Sequence, residues 1–281
     1  MEKKTTNGTD IMLLVDRSGS MGPRAKETIE GINTFIADQR KVSQKMKKDG
    51  IDVETRVTLA IFDDKYEQIY CALPIDDVPT LTDEVYFVRG GTALWDAIAR
   101  TIASTKERLA PIDRDARPEV LFVIITDGQE NQSTEIRDAE TVRSMVKDCE
   151  TAGWKTLFLG ADMDAIAAGE SVGARGVAFS GAAQGTARAI RAASAYVGSS
   201  RMAAHGYATA SLANAVYGSS HVDQSTSLGA VGAFLASVDD DSSSPSGAVG
   251  ALANAAAPHA ITPPVQPKKR PPSARPRGKK I

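Results

Sequence analysis

Ile11-Met12-Leu13-Leu14-Val15-Asp16-Arg17-Ser18-Gly19-Ser20-Met21-Gly22-Pro23 is the stretch on which the fold turns. Five apolar residues run without interruption and stop at a carboxylate. So short and continuous a run reads as a strand covered on both faces, as in parallel sheets. The residues after Asp16 read as a loop, and Pro23 suits the start of a helix. Ile29, Ile32, Phe35 and Ile36 then recur at spacings of three and four, and the pattern breaks at Gly50. Val53 to Phe62 alternates as a strand, with Gln68 to Leu73 as its hairpin partner across the turn Asp63-Asp64-Lys65. Arg89-Gly90-Gly91-Thr92 opens a helix carrying Leu94, Ile98, Ile102 and Leu109. Val120 to Ile125 is a second buried strand ending at Thr126-Asp127-Gly128. A helix with Val142, Met145 and Val146 and a strand from Lys155 to Leu159 follow it. Continuous apolar strands alternating with helices indicate an α/β fold: a doubly wound, mostly parallel sheet flanked by helices, Rossmann-like in plan. Val177 to Phe179 reads as a short last strand and Gln184 to Ala204 as a closing helix.

Composition divides the chain further. Of 281 residues, 24% are charged and 42% hydrophobic, a little below the usual apolar share of about 45–50%. Lys and Arg number 33 against 35 Asp and Glu, a net charge of −2. Seven of the basic side chains (Lys268, Lys269, Arg270, Arg275, Arg277, Lys279, Lys280) lie in residues 268–281, which hold no acid. The remainder therefore has 26 basic against 35 acidic groups, so the molecule is an acidic body with a short basic end. Residues 205–267 contain no Lys or Arg and are dominated by Ala, Gly and Ser, whose small side chains offset backbone entropy poorly. The expected organisation is an N-terminal extension (1–9), the α/β domain (10–204), an Ala/Gly/Ser-rich segment with short helices (205–238), and a flexible, disordered tail with a basic end (239–281).

Several chemistries fall away. There are two cysteines, Cys71 and Cys149, and no Cys-x-x-Cys, so neither a zinc ribbon nor a disulfide framework is available. Both are expected to be buried free thiols. The histidines are His205, His221 and His259; residues 1–204 contain none, which excludes a Ser-His-Asp site or a His-ligated metal there. The start MEKKTTNGTD lacks the apolar core of a signal peptide, and no run of about 18 apolar residues occurs. A soluble, cytoplasmic protein with reduced thiols and no membrane partner is expected.

In open α/β sheets, ligands bind beyond the carboxyl ends of the strands. Three loops there carry oxygen donors: Asp16, Ser18 and Ser20 after the first strand, Thr92 after Gly90-Gly91, and Asp127 after the second buried strand. Five oxygens without nitrogen or sulfur suit Mg²⁺ or Mn²⁺, with Ca²⁺ less favoured. Two carboxylates balance a divalent charge without filling six positions, which leaves one for water or an incoming carboxylate. Gly90-Gly91 lets the backbone approach closely.

DRSGSM after a buried strand, GGTAL opening a helix and TDG after a second buried strand resemble the von Willebrand factor A domain and its metal-ion-dependent adhesion site. The resemblance covers residues 8–204 and fills every ligand position with the expected residue type. It implies that Ser18, Ser20 and, in at least one conformation, Thr92 contact the metal directly, and that Asp16 and Asp127 act directly or through water. It also implies metal-dependent protein binding, in which the partner presents an Asp or Glu, and it is closest to the intracellular bacterial and phage-like branch, where such domains serve as adaptors. The chain is therefore expected to be an interaction module and not an enzyme. Two rival expectations stand beside this one. A metal-dependent phosphohydrolase would use the same ion as a Lewis acid, but Ser18 stands where a DxD start needs a second aspartate. A nucleic-acid-associated factor would bind phosphates through residues 268–280, although that run lacks aromatics for base stacking.

Outside the five donors the residues read plainly. Asp63-Asp64 is expected as a solvated turn, with a place on the same rim as the alternative, and Gln129-Glu130-Asn131 as a solvated loop, with partner contact as the alternative. Asp96 is expected as a helix-start acid favoured by the helix dipole, with a hydrogen bond to a metal-bound water as the alternative.

Overall fold

β1 (Thr9–Asp16) is buried at every residue. Its side chains alternate between two cores: Ile11, Leu13 and Val15 face one layer of helices, Met12 and Leu14 the other. The computed structural model describes residues 8–127, 130–161, 169, 172–179 and 183–207. Around β1 the chain forms α1 (Ala25–Lys48), β2 (Thr55–Phe62), β3 (Tyr66–Pro74), α2 (Leu94–Leu109), β4 (Glu119–Thr126), α3 (Ala139–Thr151), β5 (Lys155–Ala161), β6 (Arg175–Phe179) and α4 (Ala183–Ala204). The described strands form one six-stranded sheet in the order β3-β2-β1-β4-β5-β6. Every pairing is parallel except β2 with β3, whose tight turn allows only an antiparallel return. This is the expected doubly wound α/β architecture. The segments assigned to the N-terminal extension and to residues 205–281 lie outside the described residues, apart from 8–9 and 205–207.

The order of strands positions the site. β1 has β2 on one side and β4 on the other, with Leu13 opposite both Leu59 and Val123. Winding reverses there, so the loops leaving β1 and β4 part to opposite faces and open a crevice at their carboxyl ends.

α1 and α4 cover one face. A Cβ on Gly31 would come within 2.7 Å of Ile190 Cδ1, so α4 approaches α1 where no larger residue fits. The same interface buries Arg201 completely. Its Nη1 donates to the Gln39 carbonyl (3.0 Å) and Gln39 Oε1 (2.9 Å), and its Nη2 to Ser43 Oγ and Thr55 Oγ1 (both 2.6 Å). These partners are neutral, and burial pushes the guanidinium down to about 10, which leaves it charged at neutral pH. α1 ends where Gly50 takes φ +81°, a conformation that glycine adopts readily, with Lys45, Lys47 and Lys48 in the last turn complementing the helix dipole. On the other face, α3 begins at Asp138, whose carboxylate accepts from the Thr141 N–H at 2.8 Å. Among the described residues no helix is long and apolar enough to cross a membrane. One thiol departs from expectation: Cys149 is buried, whereas Cys71, on edge strand β3, is exposed.

Candidate metal centre

The crevice gathers four of the five predicted donors into one chain of hydrogen bonds. Asp16 closes β1, and its Oδ1 accepts from the Ser18 N–H at 2.6 Å. That bond folds the chain back at once and brings the Ser18 and Ser20 hydroxyls side by side, 3.0 Å apart. Ser20 Oγ donates to Asp127 Oδ1 at 2.6 Å, which joins the loop after β1 to the end of β4. The other Asp16 oxygen accepts from Thr126 Oγ1 at 2.6 Å, and the Asp16 carbonyl from the Tyr86 hydroxyl at 2.5 Å. Asp16 is wholly buried. Burial pushes its carboxyl up to about 6, against the opposing effect of the bonds from Thr126 and Ser18 and with a further push from the Asp127 charge.

Thr92, the fifth predicted donor, joins through its backbone. Its N–H donates to Asn131 Oδ1 (2.9 Å), and its carbonyl accepts from the N–H groups of Asn131 (3.0 Å) and Gln132 (3.2 Å). The Gly19 N–H reaches the Gly90 carbonyl at 3.1 Å and ties this loop to the serine loop. Among the described residues no hydrogen bond links the Thr92 hydroxyl to the other four donors. Both glycines before it are required: Gly90 adopts φ +66°, and a Cβ on Gly91 would come within 2.3 Å of Gln132 Cγ.

The walls are built from ion pairs, and one of their members, Asp63, the sequence presents as a turn residue. Arg17, between two of the donors, is fully buried. Its Nε meets Asp63 Oδ2 at 2.8 Å and its Nη2 meets Glu67 Oε1 at 2.5 Å. Arg89 grips the same two oxygens, each at 2.6 Å. The two guanidinium carbons stand 5.4 Å and 5.3 Å from the Phe87 ring centroid. Asp63 is therefore no solvated turn residue. Burial pushes its carboxyl up, but the Arg89 hydrogen bond, the Lys65 N–H and the Arg17 charge outweigh that and hold it below the usual carboxylate range.

Glu130 is likewise not a solvated loop residue. It accepts from the backbone N–H groups of Trp95 (2.9 Å), Gln132 (2.9 Å) and Ser133 (2.7 Å), and from the Ser133 hydroxyl (2.6 Å). Asp96 does more than complement a helix dipole. It accepts from the N–H groups of Thr134 (2.7 Å), Glu135 (3.2 Å) and Ile136 (2.8 Å), so both its oxygens serve the backbone. Burial pushes the Asp96 carboxyl up, and those donors more than offset it. Together the two acids dock the segment after β4 onto the start of α2.

The donors fit a hard divalent ion. Two neighbouring ligands of an octahedral ion at about 2.1 Å lie about 3.0 Å apart, and the Ser18 and Ser20 hydroxyls have that separation. Among the described residues no group of three or more His, Cys, Asp or Glu side chains is placed to hold a metal; the candidate centre instead pairs two carboxylates with two serine hydroxyls. Sequence reasoning missed two contributors. Thr126 stands inside the quoted TDG stretch, and a hydroxyl at that strand end is a usable signal. Arg24, whose Nη1 holds Asp127 Oδ2 at 2.6 Å, has no local signal at all.

No family model matches this chain, and no curated protein matches it in sequence. Its fold does match solved structures. A von Willebrand factor domain of the type V pili tip protein Mfa5 from Porphyromonas gingivalis superposes with a TM-score of 0.50 at 12% identity, over 69% of this chain and 96% of that one. The SpRpn10 VWA domain gives 0.41 at 13% identity, over 65% and 94%. The manganese-loaded TRAP protein of Plasmodium vivax gives 0.39 at 16%, over 55% and 57%. The match at 0.50 identifies the fold as that of a von Willebrand factor A domain.

Proposed function

We propose that the chain is a divalent-metal-dependent protein-binding module with an intact metal-ion-dependent adhesion site. Asp16, Ser18, Ser20, Thr92 and Asp127 hold Mg²⁺ or Mn²⁺, and an Asp or Glu of a protein partner completes the coordination. The bound ion supplies electrostatic attraction for that carboxylate; the protein supplies a fixed cradle and a rim. The observation that carries this reading is the pair of serine hydroxyls 3.0 Å apart, joined to Asp127 and set beside the buried Asp16. The walls support it as well, because buried ion pairs and carboxylate-to-backbone bonds hold the three loops in place before any ligand arrives. In this reading the site binds and does not catalyse, and the protein works as a cytoplasmic adaptor.

Calorimetric titration of the full chain with MnCl₂ and MgCl₂ tests the metal. Saturable uptake that is lost in Ser18→Ala/Ser20→Ala supports the reading; no uptake by the wild type overturns it. Capture of host proteins with Mg²⁺ and with EDTA tests the partner, and equal capture in both removes the metal-dependent role. The basic run at 268–280 supports a second, separable activity, contact with nucleic-acid phosphates. Its test is salt-steep binding that disappears when residues 268–281 are removed.

A further inference from the structure

Arg24 ends the 3-10 turn Gly19–Arg24 that carries Ser20, so the loop that brings a hydroxyl to the site also brings a fixed positive charge. Its side chain is 14% exposed and its Nη1 meets Asp127 Oδ2 at 2.6 Å; the Asp127 side chain is 2% exposed. The other Asp127 oxygen is engaged by Ser20 at 2.6 Å. The carboxylate that would face a metal is therefore already neutralised, on its far oxygen, by a cation from the same polypeptide. The Arg24 carbonyl accepts from Thr28 Oγ1 at 3.0 Å, which fixes the root of this side chain to the first turn of α1.

We propose that Arg24 is a sixth functional residue of the site, a tethered counter-cation that sets the affinity for the divalent ion and the charge of the loaded site. The proposal rests on the metal-binding reading above. Before metal binds, Arg24 relieves the repulsion between the Asp127 and Asp16 carboxylates. Once metal binds, a guanidinium and a divalent ion share one carboxylate and repel each other. Removal of a unit charge about 6 Å from a divalent ion strengthens its binding by roughly tenfold to a hundredfold at an effective dielectric of about 40–80, between that of a protein surface and bulk water. The loaded site also acquires a definite sign. Two carboxylates balance the ion, and the guanidinium leaves one net positive charge, so the open coordination position faces anionic partners and disfavours neutral ones. Arg24 acts here as a positioning and specificity residue: it touches Asp127 and is not itself a ligand.

The test is calorimetric titration of MnCl₂ into wild type, Arg24→Gln and Arg24→Lys at one pH and ionic strength, together with thermal unfolding in EDTA. Arg24→Gln is expected to bind Mn²⁺ at least about tenfold more tightly and to melt at a lower temperature in EDTA. Arg24→Lys, which keeps the positive charge, is expected to stay within about threefold of wild type. Equal or weaker Mn²⁺ binding by Arg24→Gln overturns the proposal, as does a tenfold gain in Arg24→Lys. Absence of Mn²⁺ uptake by the wild type is a different failure, because it removes the metal-binding reading itself.

Discussion

Replacing Asp96 with Ala leaves three backbone N–H groups, those of Thr134, Glu135 and Ile136, without their acceptor. Each bond to a charged acceptor contributes about 1.5 kcal/mol or more net of solvation. Thr134 and Glu135 are exposed, so water recovers part of the loss. The expected cost is about 2–3 kcal/mol, or roughly 5–10 °C in Tm for a domain of this size. The damage extends beyond stability, because the unmoored segment also carries Asn131, whose side chain holds the Thr92 N–H. Urea unfolding in EDTA measures the first effect and Mn²⁺ calorimetry the second, where a weaker affinity is expected. The pH dependence has a fixed sign. The Asp96 carboxyl is held below its ordinary 3.8 in the fold, so its contribution is complete above about pH 5 and is lost as the pH falls through the folded value. The gap between wild type and variant therefore stays constant near neutrality and closes in acid. A loss under about 0.5 kcal/mol, the range of ordinary surface changes, would refute the reasoning. So would a gap that widens on acidification.

Other expectations follow from the same contacts. Gly91→Ala drives a Cβ to within 2.3 Å of Gln132 Cγ and 2.9 Å of Asn131 Oδ1, so metal affinity should fall more than urea stability does. Asp16→Asn removes a buried negative charge; in EDTA at neutral pH the variant should melt at least as high as wild type, and the rise in Tm expected of the wild type with Mg²⁺ should be absent. Arg201→Ala strips Gln39, Ser43 and Thr55 of a shared donor and opens a cavity between α1 and α4, with an expected loss of about 3–5 kcal/mol in urea unfolding.

The strands were legible because the middle of a strand covered on both faces is apolar at every position, as Ile11 to Val15 and Val120 to Ile125 are. Four of the donors were legible as neighbours because each stands at or just beyond a strand end, where topology alone brings the loops together. The walls were not. Asp63 looks solvated in a turn of acids, and only the fold supplies the guanidinium of Arg17, 46 residues away. Arg24 and Asp127 are 103 residues apart, so no local pattern couples them. Glu130 and Asp96 serve backbone N–H groups, and a backbone group carries no side-chain signature to match. Cys71 was misplaced for a related reason: an edge strand has an open side that its own composition does not announce.

The burial of Arg17 limits how this crevice can diversify. Flanked by the buried Asp16 and Ser18, it is anchored by a pair of acids and an aromatic ring. The hydroxyl-bearing loop cannot migrate unless a guanidinium is pulled from its cage, so evolutionary change in this crevice is confined to the more exposed rim, of which Phe87 and Arg89 form part, while the cradle stays put.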